Sequence, residues 1–188
     1  QIEDMVGKTI KKPAKAGFKI ETSFKNPKAV GSFKIKFLGI LAEAGIINNP
    51  KEKLMIKLDF AKPKKIFKTE VLILSRFGII QRIPSYPRET ILAYKFKAIK
   101  QRERIIIRDF YDVAWLLAWR VKPNLEILKV KTEKEFYKQL IVSFKKLKPT
   151  LNSQKKNLQQ TLPNDEPISL IDNFEDLIES KLKEQKRD

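Results

Sequence analysis

At Ser85 the spacing of apolar residues changes from every second position to every third or fourth, so the chain must combine a sheet with a helical part. Before that point, after a polar and helical opening segment, residues 17–24, 32–41, 53–60, 70–74 and 78–83 read as strands. In the second, Phe33, Ile35 and Phe37 point one way and Lys34 and Lys36 the other. In the third, Leu54, Ile56, Leu58 and Phe60 form one face, and Met55, Lys57 and Asp59 form the other. Asn48-Asn49-Pro50 and the stretch Arg76–Gly78 read as turns. Strands that follow one another with no helix between them predict an antiparallel sheet and not a doubly wound one.

Beyond Ser85 three helices are expected. The first has Ser85 as N-cap, Pro87 in the first turn and Glu89 near the positive end of the dipole, and runs to about Arg104. The second opens at Asp109 and stops before Pro123. The third starts at Thr132, where Thr132-Glu133-Lys134-Glu135 has the form of a capping box, and Phe136, Leu140, Phe144 and Leu147 make one buried stripe. Residues 148–167 are polar and interrupted by three prolines, the composition of a flexible linker. Residues 168–184 place Ile171, Phe174, Leu177, Ile178 and Leu182 at helical spacing, a tail able to dock on the domain or on a partner. The expected fold class is α+β: a partial antiparallel sheet over 1–84, a helical subdomain over 85–147, a linker over 148–167 and a flexible amphipathic tail over 168–188.

Composition narrows the chemistry. The chain has neither cysteine nor histidine, which excludes disulfides, thiolate or histidine metal sites and histidine-based catalysis. Carboxylates, lysine, arginine, hydroxyls and a borrowed metal ion remain. No run of 18 apolar residues and no signal peptide is visible, so no membrane association is expected and the setting is cytoplasmic. The net charge of +18 is uneven, because residues 162–188 hold 8 acidic and only 4 basic side chains. A body this basic attracts phosphate polymers, although a lysine-rich composition alone gives the same excess.

Three groups of residues could carry chemistry. Lys95 and Arg102 stand seven apart, within about 20° of each other on a helix, and together offer a point charge and a bidentate fork to phosphates. Asp109 and Asp112 stand three apart on one helical face; N-capping and the helix dipole account for both equally well. Asp59, with Lys57, lies on the polar face of its strand, where a lone aspartate can also simply face water. Trp115 and Trp119, one turn apart among leucines, read as core.

The ordered segments Lys57-Leu58-Asp59, Ala93-x-Lys95-x-x-Ala98-x-x-x-Arg102 and Arg108-Asp109-x-x-Asp112 resemble the C-terminal signature of the nucleotidyltransferase toxins of abortive-infection and toxin–antitoxin systems (AbiEii/AbiGii type). The resemblance covers about residues 32–120. It implies transfer of a nucleoside monophosphate from an NTP to an RNA acceptor, tRNA among them, or to a protein, within a phage-defence system that includes a cognate antitoxin. It implies Mg²⁺ held by Asp59, catalytic roles for Asp59, Lys95, Asp109 and Asp112, and phosphate contacts from Lys57, Lys95, Arg102 and Arg108 around one pocket. Tyr94 departs from the glutamate common at that position. The family's G-S or G-G-T segment followed by D-x-D does not precede Lys57, and the chain opens on Gln1; the expectation is a C-terminal portion, catalytically incomplete by itself. The rival expectations are a non-enzymatic basic nucleic-acid-binding module and an interaction scaffold.

Overall fold

The computed structural model describes residues 2–25, 30–61, 67–76, 78–104, 106–162 and 168–185, in an α+β architecture with small antiparallel sheets and a helical C-terminal region. The chain forms two compact units, Gln1–Ile66 and Phe67–Asp188.

The first unit begins with α1 (Ile2–Lys15), ended by Gly17 at φ 92°. It continues through β1 (Ile20–Lys25), β2 (Val30–Leu38), the single turn α2 (Ile40–Glu43) and β3 (Lys53–Ala61). The strands form an antiparallel sheet in the order β1-β2-β3. Its register sets Phe33 opposite Phe24 and Leu58, and Ile35 opposite Ile56, so the alternation read from the sequence becomes one apolar face and one lysine-rich face. Phe33 and Ile35 are buried, with Ile10 of α1 packed on them, while Leu54, Ile56 and Leu58 of the edge strand stay exposed. β2 stops at Leu38 because Gly39 turns left-handed at φ 73°, shortening the expected strand 32–41. Gly31 is glycine for a packing reason. A Cβ there would overlap the ring of Phe60, which stacks on Phe24 at 5.9 Å between centroids.

The second unit opens with the hairpin β4 (Glu70–Arg76) and β5 (Ile79–Ser85), whose Val71, Leu72, Ile73 and Ile80 are all exposed. α3 (Arg88–Gln101) follows. Ser85 therefore ends a strand instead of capping the helix, and Pro87 holds the N-cap position with no side-chain bond. α4 (Ile107–Ala118) begins two residues before the expected Asp109. It ends in the paired 6→1 and 5→2 hydrogen bonds of a Schellman turn, Val121 to Leu116 and Arg120 to Leu117, with Arg120 left-handed at φ 56°.

After the short α5 (Leu125–Leu128) comes α6 (Glu133–Gln159), capped by Thr132, whose Oγ1 accepts the Glu135 N–H at 3.1 Å. The Glu135 carboxylate reaches back to the Lys131 N–H and not to that of Thr132. The expected linker is corrected here: residues 148–159 are the second half of α6, and 163–167 lie outside the described residues. Leu151 and Leu158 extend the buried stripe of Phe136, Leu140 and Phe144 at sevenfold spacing, and their burial outweighs the cost of Pro149 inside the helix. The tail folds as α7 (Ser169–Asp172) and α8 (Phe174–Glu184) and is not loose: Ile171, Phe174 and Ile178 are buried. Phe174 stacks on Phe144 at 4.4 Å and meets Phe110 edge-on at 5.7 Å. Lys148 and Lys155 of α6 reach Glu175 and Asp172, each at 2.6 Å, so the acidic tail neutralises part of a basic helix within its own unit.

Candidate phosphate-binding site

Only a few residues separate α3 from α4, which forces the two helices into an antiparallel hairpin. Ala93 and Ala114 are fully buried, as are Leu92, Phe96, Phe110 and Val113 around them. Along one side of this seam, Arg88 and Lys95 of α3 and its C-cap Arg102 meet residues of α4 and its C-cap in turn: Arg102 meets Asp109, Lys95 meets Asp112, and Arg88 meets Trp119.

Asp109 is the fixed point. Its side chain is 4% exposed and accepts from both Arg102 Nη1 and Lys95 Nζ, the latter at 3.4 Å. It sits in the first turn of α4, where the dipole also favours a carboxylate, but it caps nothing. The first N–H of α4, at Ile107, is satisfied by Gln154 Oε1 of α6 at 3.0 Å. Lys95 also holds Asp112 at 2.6 Å, and Arg108 Nε lies 3.9 Å from the other Asp112 oxygen. Arg108 further donates to Thr161 Oγ1 at 3.4 Å. The five groups form an alternating chain, Arg102–Asp109–Lys95–Asp112–Arg108, with one more cation than carboxylates.

Chemically, the carboxylates orient the cations without using them up. Lysine has three donors and arginine five, and the Lys95 and Arg102 side chains are 33% and 46% exposed, with donor positions left for an anion. Such a strip presents a line of cationic donors of the kind an elongated polyanion requires.

The structure thus brings together Lys95, Arg102, Arg108, Asp109 and Asp112. Lys57 and Asp59 belong to the first unit, on the lysine-rich face of β3, where Lys57 Nζ lies 2.9 Å from both Asp59 oxygens. Mg²⁺ is held by one or two carboxylates together with substrate phosphates. Asp59 alone offers one, already engaged by Lys57, and no group of three or more acidic side chains converges among the described residues. These residues do not by themselves make a magnesium site.

Two residues escaped the reading of the sequence. Trp119, taken as core, is 59% exposed, with the Arg88 guanidinium 5.2 Å from its ring centroid and Trp115 at 5.3 Å. The reason is local: Trp119 is the C-cap of α4, and the left-handed Arg120 turns the chain there and leaves the indole at the surface. The available signal was Arg88, seven residues before Lys95 and so on the same helical stripe.

Family comparison places the chain among the nucleotidyltransferases. It belongs to the family described as "Nucleotidyl transferase AbiEii toxin, Type IV TA system", whose model matches residues 1–185. Family membership makes the chain a nucleotidyltransferase-type toxin of a toxin–antitoxin system, with nucleotide as substrate class and an antitoxin as counterpart. Neither curated proteins nor solved structures give a match. No helix among the described residues is long and apolar enough to cross a membrane.

Proposed function

We propose that the chain contributes to transfer of a nucleoside monophosphate from an NTP to an RNA acceptor in the cytoplasm, and that the α3–α4 seam binds the triphosphate. The observation that carries this is the buried Asp109 holding Lys95 and Arg102 on one line with their outer donors free. In this reading Lys95 acts as a point charge on the phosphates and Arg102 through its fork, while Asp109 and Asp112 are positioning residues. Such catalysis works by alignment and by fixed dipoles aimed at developing charge. The lysine-rich face of the three-stranded sheet favours an RNA acceptor over a protein one.

The test is label transfer from each α-labelled NTP to total tRNA by the full-length protein with Mg²⁺. Lys95→Ala should lower transfer by on the order of 100-fold or more. Undiminished transfer by that variant would remove the phosphate-binding assignment. Salt-sensitive RNA binding with no transfer to any acceptor would leave the non-enzymatic module as the better account.

A further inference from the structure

The geometry points to a nucleobase-stacking position at the third rung of the seam, formed by the Trp119 indole with the Arg88 guanidinium. The inference rests on the phosphate-binding reading of the first two rungs and adds a place for the base. Arg88, Lys95 and Arg102 recur at intervals of seven, from the first residue of α3 to its C-cap, with a rise of about 10 Å per interval where the chain is helical. That is comparable to the reach from the phosphates of an extended nucleotide to its base. On α4 the facing groups change character along the seam, from carboxylates at Asp109 and Asp112 to an aromatic ring at Trp119. An anion-binding end therefore leads into a planar π surface.

Three observations distinguish this indole from an ordinary surface aromatic. It is 59% exposed although the rest of α4 is deeply buried on its inner side. It is backed by Trp115, whose ring packs against the core, so the platform has a rigid support. It carries a guanidinium 5.2 Å from its centroid, a group that both stacks on bases and pairs with phosphate. Stacking on such a surface tolerates any base, because every base has a π face. The base could belong to the NTP or to an unpaired nucleotide of the acceptor; the chemistry is the same and the experiment separates the two.

The chain contains only two tryptophans, so its fluorescence reports on this site directly. Full-length protein is titrated with ATP, with GTP, with single-stranded oligo(A) RNA and with inorganic tripolyphosphate. Quenching by the nucleotides places the NTP base on Trp119, and quenching by the RNA alone places the acceptor base there; both outcomes support the proposal. Trp119→Phe should abolish the quench and Trp115→Phe should keep it. Trp119→Ala should weaken binding of the quenching ligand by roughly five- to a hundredfold. It should leave tripolyphosphate binding unchanged, whereas Lys95→Ala should weaken that. No quench by any base-containing ligand, or a quench that follows Trp115 instead, overturns the stacking position. Loss of tripolyphosphate binding in Lys95→Ala alongside either result would show that the phosphate reading stands without it.

Discussion

At the scale of single residues, Asp109 decides how this site responds to change. It is a nearly fully buried carboxylate with two cationic partners, so removing either partner leaves it one charge to pair with. Removing both leaves a buried anion uncompensated, which costs about 3–5 kcal/mol. Lys95→Ala and Arg102→Ala should each cost on the order of 1 kcal/mol, given that both cations are partly in water. The double variant should lose clearly more than their sum. Urea unfolding of the four proteins measures the coupling, and simple additivity would show that Asp109 does not depend on this pair. The sequence offered Asp109 as an N-cap or, by resemblance, as a catalytic carboxylate; spacing alone cannot separate these, because the same helix position serves both.

At the scale of elements, α6 shows where composition misleads. Residues 148–159 are rich in lysine, asparagine and glutamine and contain Pro149, yet they are helical because Leu151 and Leu158 face a core made by other elements. A wide solvent-facing arc hid a two-residue stripe. If the segment is helical, Pro149→Ala restores a hydrogen bond to the Lys145 carbonyl and relieves a ring clash, so stability should rise by about 1–3 kcal/mol. A melting temperature that does not move would argue for a loose connection after all. The helix starts were legible to within a few residues, and so was the Thr132 cap of α6, but the caps of α3 and α4 were not. Ser85 was claimed by β5, and the N-terminus of α4 is capped by Gln154 from another helix, a partner no local window contains.

At the scale of the whole molecule, charge separation along the chain becomes contact within the second unit. The segment after residue 162 carries an excess of carboxylates, and in the structure Asp172 pairs with Lys155 and Glu175 with Lys145 and Lys148. The hydrogen bond from Lys148, reinforced by its charge and that of Lys145, holds the Glu175 carboxyl below its ordinary value. A depressed carboxylate pKa adds stability that is full above the unfolded-state value and disappears as pH falls through the folded one. Glu175→Gln should therefore lower the melting temperature slightly at pH 7, and the difference should shrink steadily as the pH is lowered through the acid range. A difference that persists in acid would mean that Glu175 acts by packing. High salt should shrink the effect at neutral pH, since these pairs are largely exposed.

Some properties of this protein are fixed by its residues taken in order: the α+β class, the faces of the strands and the apolar stripes. Each follows from a period of two or of 3.6 that holds before any tertiary contact forms. Tertiary structure alone decided which cation meets which carboxylate, that the polar stretch after Lys148 is helix, and that the tail is docked. Those outcomes depend on burial and on partners distant in the chain, and the free energy of burying a group is a property of its surroundings and not of its own side chain.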